Sequence, residues 1–498
     1  MIYLVYVEFV ELYYMNEQFR VAQKIGLMFH HDTPLPEDIK TWAIAQLHSK
    51  SPALGIRSKV SSKNVQEWPE RLQPNLEKRD DMFSLFKINR QKEREKLEGQ
   101  ETAKAVQENR RNNLMGETDE LKFAHRNVYG KDQVRLRFTS FWANHFTIGN
   151  IHDNQNHIGH AIDEAILANL NGSFSHMLYK VTSHPAMLVY LDNVWSAGES
   201  SPHTIDMKRQ KRQAGLNDNL GRELLELHTV SPSAKYTETD VRNSAKVLAG
   251  WGTHTAFKSK SELIEMGGTT NTWDFFKKRY AEPGNKTVLG KTIHPGKAGL
   301  KQMTDFLASH ENTIMFISSK LAEHFISDNT SNSDINYIAN AWRQSNGNLD
   351  KIHTAVIERA ILSKEPKFQW PMIWLFQALR LSNATFIHGW NELWTYDDML
   401  MDNQDIFKEL GQGFWHTRQP NGYSSDKNEW LSGEMFERRI RFADAIYKAG
   451  KPKVLSTEIM DRFGASMSTR KLVTSAGNER NKFIALMCSP ELMGLENA

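Results

Sequence analysis

The chain has 498 residues, 40% of them hydrophobic and 24% charged, with a formal net charge of +3, the ordinary composition of a soluble globular protein. A nucleic-acid partner would ask for a broad basic face, and the one compact basic run is Lys208, Arg209, Lys211 and Arg212, a solvated loop or a phosphate or glycan contact. No apolar run approaches the ~18 residues of a membrane span, and the lone cysteine, Cys488, allows no internal disulfide and fits a cytoplasmic address as well as a disulfide-free exported one.

The first fourteen residues, MIYLVYVEFVELYY, are apolar but interrupted by Glu8 and Glu11, and the first basic residue is Arg20. They lack the basic start, unbroken apolar stretch and cleavage site of an export signal. The expectation is a strand or helix packed on the body, or a translation start at Met15. Residues 15–51 read as helix, loop, helix, with Pro36-Glu37-Asp38 opening the second helix with acid in its first turn. Residues 52–80 read as loop. The densely charged 82–113 stretch reads as a long exposed helix or a mobile arm.

An amphipathic helix is predicted over 117–146, and others over 158–170 and 173–182. His184-Pro185 breaks the chain, a glycine- and serine-rich loop covers 196–216, and helices follow at 217–229 and 237–249. Thr237 and Asp240 form an N-cap pair. A hairpin is predicted from 273–281 and 286–293 around Glu282-Pro283-Gly284-Asn285. Helices resume at 298–308, 311–327, 334–345, 349–362 and 370–381, then near 432–449 and 468–488 among aromatic-rich loops. No fixed-period repeat is present. The predicted architecture is mainly α: one multi-helical body over 15–448 with a minor hairpin and the charged arm, and a helical extension over 449–498.

Several segments, in order, resemble the bacterial family known as domain of unknown function 1800: FWANHF (141–146), HPAMLVYLDN (184–193), GLNDNLGRELLELHT (215–229), YTETDVRNSAKVLAGW (236–251), EPGNKTVLGKTI (282–293), HENTIMFISSKLAEHFISD (310–328) and LGQGFW…QPNGY (410–423). The resemblance spans about 20–448. One departure stands out: where the family has LGVDGGYT, this chain has Val230-Ser231-Pro232-Ser233-Ala234-Lys235-Tyr236-Thr237, so the turn is built differently. The resemblance implies a helical fold and, because relatives are often encoded beside a sulfatase-like family, a sulfatase-like partner. Many relatives look exported, and this chain shows no export signal. The resemblance implies no established activity.

The signature helix carries the candidate chemistry. At ~100° per residue, Asn219, Arg222, Glu223 and Glu226 share one face, while Leu220, Leu224, Leu225 and Leu227 spread over the other with His228 among them. Two carboxylates at i and i+3 beside an arginine are either an acid–base pair with separated pKa values or structural ion pairs, with Arg222 reaching Glu226. His145 reads as a catalytic base or a packed imidazole, and Asn144 as a ligand contact or a packing residue. Asp192 and Asn193 read as substrate contacts or caps. Lys320 and His324 share a helix face and read as surface or packing residues.

No HExxH or paired-cysteine motif supports a metal, and no GxGxxG, Walker or GxSxG motif supports a dinucleotide, a nucleoside triphosphate or an α/β-hydrolase. Trp390, Trp394, Trp415 and Trp430 lie in loop-rich sequence, where such rings stack on sugars or pack on the body. Two functions follow: a hydrolase-like enzyme using Glu223, Glu226 and His145 on a glycan or other polar substrate, or a non-catalytic scaffold that binds a partner protein.

Overall fold

Several helix boundaries follow caps written into the chain. The computed structural model describes residues 15–56, 65–79, 115–151, 154–253, 275–386, 407–417 and 419–495; the expectations for 1–14 and 82–113 lie outside them. Helix α1 (Glu17–Ile25) is followed by α2 (Ile39–His48), whose free amides at Lys40 and Thr41 donate to the Asp38 carboxylate at 2.9 and 3.2 Å. The helix therefore starts after Pro36-Glu37-Asp38. Two strands, β1 (Leu54–Ile56) and β2 (Val65–Glu67), then pair antiparallel where the sequence reads as loop. At three residues each they are too short for alternation to register.

The predicted helix 117–146 is two, α3 (Met115–Tyr129) and α4 (Gln133–His145). They part at Gly130, where a Cβ would stand 2.4 Å from the Arg126 carbonyl oxygen and 2.7 Å from Leu136 Cδ1. Helix α5 (Gln155–His160) runs on into a π turn (Ala161–Ile166), and α6 (Phe174–Ser183) and α7 (Pro185–Tyr190) follow. His184 Nδ1 caps α7 by accepting from the Ala186 amide at 3.1 Å, and Pro185 sits where a missing N–H costs nothing. Inside the predicted 196–216 loop lies α8 (Pro202–Arg209), capped by Ser201, so Lys208 and Arg209 end a helix. Helix α9 (Asn219–Glu226) precedes α10 (Glu238–Leu248), which opens on the expected Thr237–Asp240 capping box.

The hairpin lies within the predicted stretch but is tighter. Strands β3 (Lys286–Val288) and β4 (Lys291–Ile293) turn at Leu289-Gly290, both at positive φ, the two-residue connection that matches strand twist. Pro283-Gly284 therefore precedes the first strand. Helices α11 (Ala298–Ser309), α12 (Glu311–Phe325), α13 (Asn332–Ser345), α14 (Leu349–Leu362) and α15 (Pro371–Ser382) continue the body. Helices α16 (Gly433–Ala445), α17 (Ser456–Phe463), α18 (Met467–Ser475) and α19 (Glu479–Met487) follow. The fold is mainly α, and no helix among the described residues is long and apolar enough to cross a membrane.

Helix α4 runs through the middle of the core. Phe138 stacks on Phe325 at 4.3 Å, and the Trp142 indole N–H donates to His353 Nε2 at 3.0 Å. Buried Arg135 donates to the carbonyls of Leu47 and Leu167, at 3.0 and 2.6 Å. Chain beyond residue 449 feeds the same core: Gln23 donates to the Glu491 carbonyl, and Trp374 to that of Met487, both at 2.8 Å.

Candidate functional site

Helix α9 is held by its apolar side. Leu220, Leu224 and Leu225 are fully buried, and Gly221 packs so closely on α10 that a Cβ would stand 2.7 Å from the Ala245 amide nitrogen. That packing turns Asn219, Arg222, Glu223 and Glu226 outward as one row. Asn219 is exposed. Arg222 does not reach Glu226: its guanidinium donates to both carboxylate oxygens of Glu238, at 3.0 and 2.9 Å, with Asp218 at 3.5 Å. Glu226 accepts from the Tyr236 hydroxyl at 2.9 Å.

Glu223 is half-buried and makes no side-chain hydrogen bond or ion pair among the described residues. Burial, and then the neighbouring Glu226 charge, push its carboxyl up to about 7, with Arg222 opposing only partly. Tyr190, at the end of α7, lies within electrostatic reach: burial and the Glu223 charge push its phenol up to about 12, so it stays protonated. Its ring rests on the loop after α4, where a Cβ on Gly149 would come within 2.8 Å of Cε2. The result is a carboxyl that shares its proton near neutral pH beside a phenol that keeps its own, with Glu226 fixed one helical turn away.

His145 reaches the chain just after α9. It is buried at the end of α4, with Nε2 3.2 Å from the His228 carbonyl oxygen, so Nε2 carries the proton it donates. The His145 and His228 rings stand 6.3 Å apart. Burial first, then the Lys320 charge, hold both imidazoles neutral: His145 well below its usual value and His228 at about 3. Half-buried Lys320, on α12, is itself pushed down to about 8 by burial and stands over the Phe316 ring at 5.4 Å, while His324 is fully buried.

The remaining candidates are spread out. Asn144 is engaged with the backbone of Tyr423 by both amide atoms. Asp192 adopts a left-handed conformation (φ 57°) before the turn Asn193–Trp195. Asn193 is buried and donates to the Leu248 and Trp251 carbonyls, at 3.2 and 2.9 Å, fastening that turn to the end of α10. The structure thus unites Glu223, Glu226, Arg222 and Asn219 on one surface, with His145 bonded to the chain just after α9, Asn144 and Asn193 bonded to backbone groups, and Asp192 at a left-handed turn. Tyr190 and Tyr236 were missed as partners of the carboxylates. Both fall in the quoted motifs, but only folding brings residue 190 to residue 223. Trp430 is buried and donates to the Ser424 carbonyl at 3.1 Å, and Trp390 and Trp394 lie outside the described residues.

The departing turn is now explained. Ser231 (φ 59°) and Lys235 (φ 53°) occupy the left-handed region where the family pattern carries glycine. A short 3-10 turn at Pro232–Ala234 joins them, and Tyr236 emerges in place to hold Glu226. Among the described residues, no group of three or more His, Cys, Asp or Glu side chains is arranged to hold a metal ion.

A family model described as a protein of unknown function, DUF1800, matches residues 34–493, nearly the whole chain. No curated protein and no solved structure matches.

Proposed function

The chain belongs to the DUF1800 family of proteins of unknown function, and we propose that it is a hydrolase-like enzyme in which Glu223 gives and takes the proton. The observation that carries this reading is an uncommitted, half-buried carboxyl with its pKa pushed up to about 7. A general acid or base works best with a pKa near the working pH, because both protonation states are then populated. Strongly shifted groups of this kind cluster at functional sites.

The roles divide by environment. Burial keeps the proton on Glu223, and the neighbouring Glu226, held by Tyr236, adds to that effect. Tyr190 offers a protonated phenol beside the reacting carboxyl, and Asn219 and Arg222 form the polar rim that a glycan or other polar substrate would meet. Neutral His145 holds the chain just after α9 through the His228 carbonyl. With its single cysteine, the protein suits a cytoplasmic setting.

The test is turnover of a panel of glycosides and esters by wild type and by the Glu223→Gln variant. Loss of turnover in Glu223→Gln, at an undiminished thermal midpoint, is the expected result. Wild-type rates in that variant would remove Glu223 from the chemistry. The second reading, a scaffold for a sulfatase-like partner, is favoured by the dispersal of Asn144 and Asn193 into backbone-holding roles. Co-purification of such a partner with wild type and Glu223→Gln alike, with no turnover by either, would select it.

A further inference from the structure

We infer that the cavity between the C-terminal half of α4 and the 411–423 loop binds the end of an uncharged glycan. The assignment names a substrate class for the reading above, but it stands on the cavity's own walls. Its volume is about 60 Å³, room for several water-sized groups, and it opens at its mouth into solvent. Trp370, Phe414, Trp415 and Tyr423 give it aromatic faces, and none of the described residues lining it is charged.

Three features point to a ligand. Gln412 is 1% exposed; its Oε1 accepts from the Met372 amide at 2.9 Å, while its Nε2 finds no partner among the described residues. The Thr417 hydroxyl also lacks one. A buried amide or hydroxyl is costly unless something bonds it. The third feature is the backbone of Trp415, left-handed at φ 52° and pinned by the Asn150 amide, which donates to its carbonyl at 2.7 Å. A bulky residue in that conformation is a genuine outlier, and such outliers gather at ligand sites.

The class of ligand follows from the chemistry. Aromatic faces take the C–H face of a sugar ring, and the Gln412 amide and Thr417 hydroxyl take its oxygens. An ionic ligand would lose its hydration in the cavity and meet no counter-charge among the described residues that line it. At Gly413, Thr417 and Tyr423 the cavity meets an open groove of about 610 Å³ lined by His416, Gln419 and Asn421 together with the charged Lys408, Glu429 and Arg438. The His416 Nε2 is another buried atom without a partner among the described residues. Polar side chains along that path suit the successive units of a chain whose end sits in the cavity.

Saturation-transfer NMR on the full-length protein tests this, with cellotriose, maltotriose, xylotriose and chitotriose as neutral probes and trigalacturonate as the charged control. At least one neutral trisaccharide should bind, and the charged one should not. Trp415→Gly removes the indole while relieving the left-handed backbone, and Thr417→Val removes a hydroxyl that has no partner among the described residues. Each should keep its thermal midpoint and weaken binding about ten-fold or more. Glu223→Gln should bind as wild type does. The proposal is overturned if no neutral trisaccharide binds at about 10 mM, if the charged one is preferred, or if both variants bind normally. Binding lost only in Glu223→Gln would place the glycan at α9 and empty this cavity of the role, so the two sites fail separately.

Discussion

Asn144 and Tyr423 hold each other twice: the Tyr423 amide donates to Asn144 Oδ1 at 2.8 Å, and Asn144 Nδ2 donates to the Tyr423 carbonyl at 3.0 Å. The pair joins the end of α4 to a loop 279 residues further on. Gly422 makes the approach possible, since a Cβ there would stand 2.4 Å from the Asn144 carbonyl oxygen. Two of the family's sequence signatures, FWANHF and QPNGY, are thus one physical object.

Asn144→Ala should therefore act on stability. Two partly buried backbone groups lose their partners, at roughly 1–3 kcal/mol, and chemical denaturation should show the midpoint falling with the slope unchanged. An unchanged midpoint would free Asn144 for a ligand role.

Gly149 tests the contact between the two halves of the site. In Gly149→Ala the new methyl group meets the Tyr190 ring at 2.8 Å, so the ring must move, at a cost of about 1–3 kcal/mol. Tyr190 fluorescence and the Glu223 titration should both shift. If neither shifts, the two side chains are not coupled through this loop.

Much of the fold was legible because helices announce themselves. The Thr237–Asp240 capping box, the apolar stripe of α9 and the row Asn219, Arg222, Glu223, Glu226 all follow from local periodicity, and the structure has them. What the sequence hid depends on contacts between distant residues. The break at Gly130 comes from a close approach to Leu136, and the partner of Arg222 is Glu238 on the next helix rather than Glu226 on its own. His145 shows the limit for the site: histidine in an aromatic setting reads equally as a base or as a packed imidazole, and only the fold shows it buried and bonded to the His228 carbonyl.

The departing turn offers a stability prediction. Lys235 is held at φ 53°, a conformation that costs a side-chain-bearing residue roughly 1–2 kcal/mol. Lys235→Gly removes that cost and adds about 0.5–1 kcal/mol of unfolded-state entropy to be lost, so stability should rise by up to about 1 kcal/mol in thermal unfolding. A fall of that size would show that the lysine side chain holds the turn.

The role of Glu226 can be separated from its own ionisation. Glu226→Gln keeps an oxygen for the Tyr236 hydroxyl but deletes the like charge that helps raise Glu223. The Glu223 titration should then move to lower pH, and an unmoved midpoint would leave burial as the sole cause.

The proton on Glu223 is the central claim, and its carboxyl carbon can be followed directly by 13C NMR across the pH range. Because the folded pKa is raised, the stability that goes with the protonated form is complete below the ordinary glutamate value of about 4.5 and is lost as pH rises through about 7. Glu223→Gln, lacking that ionisation, should match wild type in thermal midpoint below about pH 4.5, exceed it by a growing margin as pH rises from there through about 7, and keep a constant margin above. The account predicts a Glu223 titration midpoint near 7; a midpoint near 4.5, with the Gln variant no more stable than wild type at high pH, would contradict it.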